Sequence, residues 1–388
     1  MRAASIGGLA LALGLIAICT GSVPIRTIET LVGRVAPIIL FLITISIVVN
    51  LCSKAGLFTW LATSAARLSK GRNWLLWITV ILLGAICTAF LSLDTTAVLL
   101  TPIVVSLAIA AGINPVPFAF TTVWLANIGS LFLPVSNLTN LLALEMDIVS
   151  GPADFLRATF LPALAAVVVT ALVSYVLFRK DLDLGGRHCL MPRGPAADKR
   201  LLVICGVVLG ILVLLLATSI PYWITTSVAA LVLIGAFSVR NRPSISFSLV
   251  PWGIILLAAG LMFVVPMLHD LSANQIGENL APGEHTGWSL LGISASGVFT
   301  SNIMNNLPAY LLLEPLATSP ISLVALLIGT NAGPLLTPWA SLANLLWHDQ
   351  LHRVGIRISW KRFCLLGILV VPGAVGIPLV VAILASGR

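Results

Sequence analysis

Charge is what this sequence most lacks. Only 9% of its 388 residues are Asp, Glu, Lys or Arg, where a soluble domain carries about 25%. A water-soluble globular fold is thereby excluded. The six cysteines (Cys19, Cys52, Cys87, Cys189, Cys205, Cys364) form no CxxC pair and no Cys/His cluster with metal-ligand spacing. They read as apolar filler, and no metal or other cofactor is expected. There is no GxxxxGK[ST] loop, so the chain does not hydrolyse ATP through a P-loop. The formal net charge of +8 does not argue for a nucleic-acid partner, because basic residues in such a chain mark cytoplasmic loops.

Apolar length is what the sequence has instead. Hydrophobic residues make up 59% of the chain, and its mean hydropathy is +1.09. Runs of about 20 apolar residues, enough to span a bilayer as a helix, recur from end to end. Full crossings are expected near 5–22, 33–52, 118–148, 155–178, 201–219, 223–239, 250–268, 320–348 and 363–385. The opening "MRAASIGGLALALGLIAICTGS" resembles a signal peptide in hydropathy, lacks a small-x-small cleavage pattern, and reads as the first span. Two further apolar regions, 74–111 and 288–316, are interrupted by "LSLDTT" at 91–96 and "SNIMNN" at 301–306. Each reads as a re-entrant hairpin. With the N-terminus in the cytoplasm, 17 of the 21 Lys and Arg residues fall on the inside, as the positive-inside rule requires. The expected location is the cell membrane.

Two polar-rich segments superpose. "NIGSLFLPVSNLTNLL" (127–142) and "NAGPLLTPWASLANLL" (331–346) share eight of sixteen residues at a constant offset of 204, including Asn127/Asn331, Gly129/Gly333, Pro134/Pro338 and Asn140/Asn344. Each follows a hairpin candidate and precedes a plain span. The order span, hairpin, broken span, span thus occurs twice, in 33–178 and 250–388, with opposite orientation. The expected fold is an all-α polytopic membrane protein, an inverted-repeat transporter with two re-entrant hairpins and two broken transmembrane helices. A first helix (1–32) precedes the repeats, and a basic cytoplasmic loop with two connecting spans (179–249) separates them.

Gly and Pro in mid-span free backbone groups that lipid cannot satisfy, so such breaks line cavities. Asparagine adds donors and an acceptor without a charge to desolvate. The expected substrate or ion ligands are therefore Thr95, Thr96, Asn127, Ser136, Asn137, Asn140, Asn302, Asn305, Asn306, Asn331, Thr337, Ser341 and Asn344. The competing reading is that these groups only glue helices together. Asp94 is the one carboxylate inside a break. A carboxylate at that depth is costly to ionise, which makes it the candidate proton carrier; a purely structural pairing is the alternative. Glu314 lies on the second limb of the other hairpin, near the outer interface. "GISASG" (292–297) has the GxS element of an intramembrane serine protease but no histidine partner, so an enzyme is not expected.

"TSNIMNNLPAYLL", "IGTNAGPLLTPWASLANLLW" and "SNLTNL", with "KAGLFTWLA" and "ISWKRF", closely resemble the arsenical pump membrane protein family (ArsB-type), part of the ion transporter superfamily. The resemblance covers nearly the whole chain. It implies export of trivalent arsenic and antimony hydroxides in exchange for protons or, with a soluble arsenical-pump ATPase partner, as a pump. The superfamily alternative is an ion-coupled symporter of dicarboxylates or other organic anions, or a sodium/proton antiporter. A homo-oligomer is left open. The chain departs from the family in having Leu93 before Asp94 and amides at Asn127 and Asn331, where the family commonly has Asp. The family also has one more apolar N-terminal helix.

Overall fold

The structure is a computed structural model. It describes Gly8, Ala12 and residues 25–182, 198–260 and 286–387, apart from Asp147, Ala217, Ser219 and Ile254. Apart from Gly8 and Ala12, the expected first span at 5–22 lies outside the described residues, as do residues 261–268 of the span expected at 250–268. The described chain is helical. Eight of its helical segments are long and apolar enough to cross a membrane.

The first repeat begins with α1 (Ile25–Lys54) and a short helix α2 (Leu57–Leu68), which lies between the span expected at 33–52 and the interrupted region 74–111. Helix α3 (Asn73–Leu91) then runs to a break at Ser92, and α4 (Leu93–Ala110) leaves it. These two limbs fold back on each other. A Cβ added at Gly84 would lie 3.9 Å from Leu100, and Thr88 Oγ1 donates to Thr96 Oγ1 at 3.1 Å across the turn. Both limbs also pack against α2. Thr96–Leu100 of α4 is a π-helical turn. Pro102 follows it; its ring cannot accept ordinary helical crowding against residue i−4, and a widened turn relieves that clash.

The second repeat contains the same device. Helix α10 (Gly287–Met304) ends at Asn305, and α11 (Asn306–Leu313) leaves it. Ser92 has φ 99°, ψ 158° and Asn305 has φ 91°, ψ 155°, an uncommon conformation for a residue with a Cβ. In both, the turning residue also caps the helix that follows. Ser92 Oγ accepts from the Thr95 N–H at 3.4 Å, and Asn305 Oδ1 accepts from the Leu307 N–H at 3.4 Å.

The broken spans match as closely. Helix α5 (Pro115–Ile128) gives way to 3₁₀ turns at Gly129–Phe132 and Pro134–Ser136, then α6 (Leu138–Leu144). Helix α12 (Pro320–Ala332) gives way to 3₁₀ turns at Gly333–Leu335 and Pro338–Ala340, then α13 (Leu342–Arg353). Leu133 and Thr337, 204 residues apart, have φ/ψ of −130°/151° and −129°/152°. The repeat read from the residues is thus a repeat of backbone conformation.

The remaining helices frame these units: α7 (Pro152–Phe178), α8 (Lys199–Leu216), α9 (Tyr222–Arg240) and α14 (Trp360–Ala385). Residues 252–253 and 255–260 are also helical. Helix α1 is fastened to α9 by Thr44 and Thr226, whose hydroxyls are 2.7 Å apart, and by the edge-on contact of Phe41 with Tyr222. The repeats meet in an aromatic cluster of Phe120, Trp124, Phe178, Trp347 and Phe363. There Trp347 Nε1 donates to the Ala119 carbonyl at 2.9 Å. Two glycines permit contacts no other residue allows. A Cβ at Gly329 of α12 would stand 2.2 Å from the Ser294 carbonyl oxygen, and one at Gly367 of α14 would stand 2.0 Å from that of Leu335.

Candidate functional site

Four chain breaks surround one small chamber. It is lined by Leu93 and Asp94 from the first turn, Asn305, Asn306 and Leu307 from the second, and Asn137, Leu138, Ser341 and Leu342 from the unwound spans. Leu257 and Ala258 form its remaining wall. Its volume is about 40 Å³, room for about three water-sized atoms. A larger vestibule of about 200 Å³ adjoins it and shares Leu93, Asp94, Asn137 and Leu138. The vestibule runs along α1 from Phe41 to Asn50 and reaches Pro251 and Leu346. Among the described residues, Asp94 is the one ionisable side chain on either lining.

The polar groups of the chamber divide by what they already bind. Asn137 Nδ2 donates to Asn331 Oδ1 at 2.9 Å, and its Oδ1 accepts from the Thr139 N–H at 3.4 Å. Asn305 Nδ2 donates to the Trp339 carbonyl at 2.9 Å while its Oδ1 caps α11. Both amides are committed to shaping the walls. Asp94 Oδ1 and Ser341 Oγ are shielded from solvent and have no partner among the described residues. The Asn306 side chain also makes no hydrogen bond among them. Three of the lining residues therefore carry polar groups without a partner among the described residues, around a space for about three water-sized atoms. Four helices begin there as well, at Leu93, Leu138, Asn306 and Leu342. Their first N–H groups lack intrahelical acceptors and carry partial positive charge.

Beneath the chamber the unwound spans are held by a crossed set of amides. Asn127 Nδ2 donates to Asn344 Oδ1 at 3.0 Å, and Asn331 Nδ2 donates to Asn140 Oδ1 at 3.1 Å. Each bond joins one repeat to the other, and the two are related by the offset of 204. The receiving asparagines tie down equivalent carbonyls: Asn140 those of Ser130 and Leu133, Asn344 those of Pro334 and Thr337. The symmetry is incomplete. Asn331 Oδ1 also accepts from Asn137 and from Thr139 at 3.2 Å. The equivalents of those donors are Ser341 and Ala343, and Asn127 Oδ1 has no partner among the described residues.

The residues singled out from the sequence thus occupy three settings. Asp94, Asn137, Asn305, Asn306 and Ser341 line the chamber, and Thr95 lines the vestibule. Asn127, Asn140, Asn331 and Asn344 form the crossed lock. Thr96, Ser136, Asn302 and Thr337 bond to neighbouring segments. Thr96 Oγ1 reaches the Ser92 carbonyl, Ser136 Oγ that of Ala89, and Asn302 Nδ2 that of Gly333. Thr337 Oγ1 donates to Asn302 Oδ1 at 2.9 Å. Sequence reasoning missed Ser92, which makes the first turn; the repeat was legible at 127–142 and 331–346 but not where serine stands opposite asparagine.

Paired hairpins and paired unwound spans around a shared polar chamber define a membrane transporter. The chain belongs to the citrate transporter family (CitMHS), which matches residues 1–321, and this is a transporter family rather than an enzyme family. Among individual proteins it is similar to the arsenical pump membrane protein of Escherichia coli K12, with 29% identity over 84% of this chain and 81% of that one. The arsenical pump membrane protein of Yersinia enterocolitica is 28% identical over 95% of this chain and 91% of that one. Among solved structures, the Alcanivorax borkumensis YdaH transporter shares the fold, with a TM-score of 0.59 and 16% identity over 93% of this chain and 88% of that one.

Proposed function

We propose that this transporter exports trivalent arsenic or antimony hydroxides, exchanging them for protons carried by Asp94. The observation that carries the reading is the chamber between the two turns. Arsenous acid is a neutral trihydroxide of four heavy atoms. The chamber has room for about three water-sized atoms, so the fourth reaches toward the adjoining vestibule, and Asp94, Ser341 and Asn306 on its lining supply one polar side chain for each hydroxyl once they turn toward the solute. Among the described residues, no lysine, arginine or histidine lines the chamber or vestibule, and no cysteine does. A tricarboxylate has no cationic partner there. A thiophilic solute meets no thiol that would hold it covalently.

Asp94 suits proton coupling because it is the only acid described on the solute path and its Oδ1 lacks a donor. Protonated, it gains an O–H to share with a neighbouring oxygen; ionised, it faces the positive ends of the four helices. The Lys/Arg distribution supports an orientation with the N-terminus and the Lys54 end of α1 in the cytoplasm of a cell-membrane protein. The fold-back at Ser92 and Asn305 supports re-entry of both hairpins. The converging helix N-termini favour a second reading, an anion symporter.

Uptake into everted vesicles tests this. Arsenite and antimonite should accumulate when a proton gradient is imposed, and citrate and succinate should not. Asp94→Asn should abolish the gradient's effect at matched expression. Citrate uptake with no arsenite uptake would reverse the order of the two readings.

A further inference from the structure

The vestibule leads from the chamber along α1 toward Asn50, and toward the other end of α1 lies a set of bonded side chains that line neither space. Arg34 of α1 forks onto both carboxylate oxygens of Glu314, just beyond α11, and donates to the Leu142 carbonyl of α6 at 3.0 Å. Close by, Tyr222 of α9 donates its hydroxyl to Glu145 at 2.9 Å. Both half-helices that start at the chamber, α6 and α11, are therefore fastened at their far ends to the framing helices α1 and α9. Along α1, Arg34 stands sixteen residues from Asn50 at the vestibule mouth, about 24 Å at helical rise. Asn50 lines the vestibule and holds the Leu249 carbonyl at 2.8 Å.

We infer that Arg34 and Glu314 form the gate on the closed side, which must part for the chamber to open there and re-forms when it opens at the Asn50 end. A planar guanidinium on a carboxylate and a carbonyl is a directional contact that α6 and α11 can release together. This rests on reading the chamber as the solute site, but not on which solute is carried.

The test uses accessibility rather than flux. In full-length protein whose own cysteines are replaced by serine, Leu138→Cys places a thiol where chamber and vestibule meet. Its labelling by a membrane-impermeant maleimide is timed from each face, in intact cells and in everted vesicles. With the gate intact, labelling proceeds from the Asn50 end. Arg34→Gln should raise labelling from the Arg34 end about tenfold, and lower it from the Asn50 end, as a population shift demands. The exchanged pair Arg34→Glu with Glu314→Arg should return both rates toward the starting values. Unchanged rates in Arg34→Gln, or rates that rise together from both faces as in a loosened fold, would overturn the gate. Failure of arsenite transport with the reciprocal labelling intact would overturn only the solute reading.

Discussion

Replacing Asn331 by alanine should cost the fold about 2 kcal/mol more than replacing Asn127, although the two occupy equivalent positions. Asn331 makes three hydrogen bonds to side chains of the other repeat, at 2.9–3.2 Å, and all are buried. Hydrogen bonds between membrane helices average about 0.6 kcal/mol and reach about 1.7. Losing three, with a buried Asn137 amide left without an acceptor, comes to about 2–4 kcal/mol. Asn127 makes one such bond, to Asn344, and one to Val123 on its own helix. Its Oδ1 is already unpaired among the described residues, so alanine also removes a desolvated acceptor, and the net loss is about 1 kcal/mol or less. Unfolding of purified protein in mixed micelles with increasing dodecyl sulfate, followed by tryptophan fluorescence, measures the difference. Equal losses, or a larger loss for Asn127→Ala, would show that the broken symmetry of the lock has no energetic meaning.

Ser341→Asn supplies the donor that Asn127 Oδ1 lacks and fills part of the chamber; stability should hold or rise while transport falls at least tenfold, about 1.4 kcal/mol of lost transition-state stabilisation. Normal flux in that variant would place the solute elsewhere. Gly367→Ala should block folding, since its Cβ would stand 2.0 Å from a backbone oxygen, while Gly376→Ala on the same helix meets nothing within 4 Å and should be neutral; expression and size-exclusion profiles compare them. On the α8 side, Asp198 accepts from Arg240 at 3.1 Å and caps the helix through the Arg200 N–H at 2.9 Å. The Arg240 guanidinium holds its carboxyl below the usual carboxylate range. That contribution is complete above the unfolded value of about 3.9 and fades as pH falls through the lower folded value; Asp198→Asn should erase this acid-side dependence in a pH series of melting temperatures.

Much of this architecture was legible because it is local. Gly, Pro and Asn interrupt apolar runs at 127–142 and 331–346, and lipid tolerates such interruptions only around a cavity. The matching residues at those positions adopt matching φ/ψ. The turns at Ser92 and Asn305 were legible as paired polar breaks but not residue for residue, since backbone conformation repeats there while the side chains differ. The division of the asparagines was not legible. Whether an amide faces a solute or a neighbouring amide depends on partners some 190 to 220 residues away, such as Asn140 for Asn331 and Asn344 for Asn127. Glu314 read singly as a charge near the outer interface, and Arg34, 280 residues away, carried no signal of its own. Only the packing of α6 and α11 beside α1 makes them a pair.

The central claim is that the solute sits between the two turns. X-ray diffraction from crystals soaked with arsenite, collected at the arsenic absorption edge, locates the metalloid without reference to flux. The account predicts an anomalous peak enclosed by Asp94, Asn306 and Ser341, lost in Ser341→Asn. A bound peak on buried Cys52, Cys87 or Cys205, with none in the chamber, would contradict it.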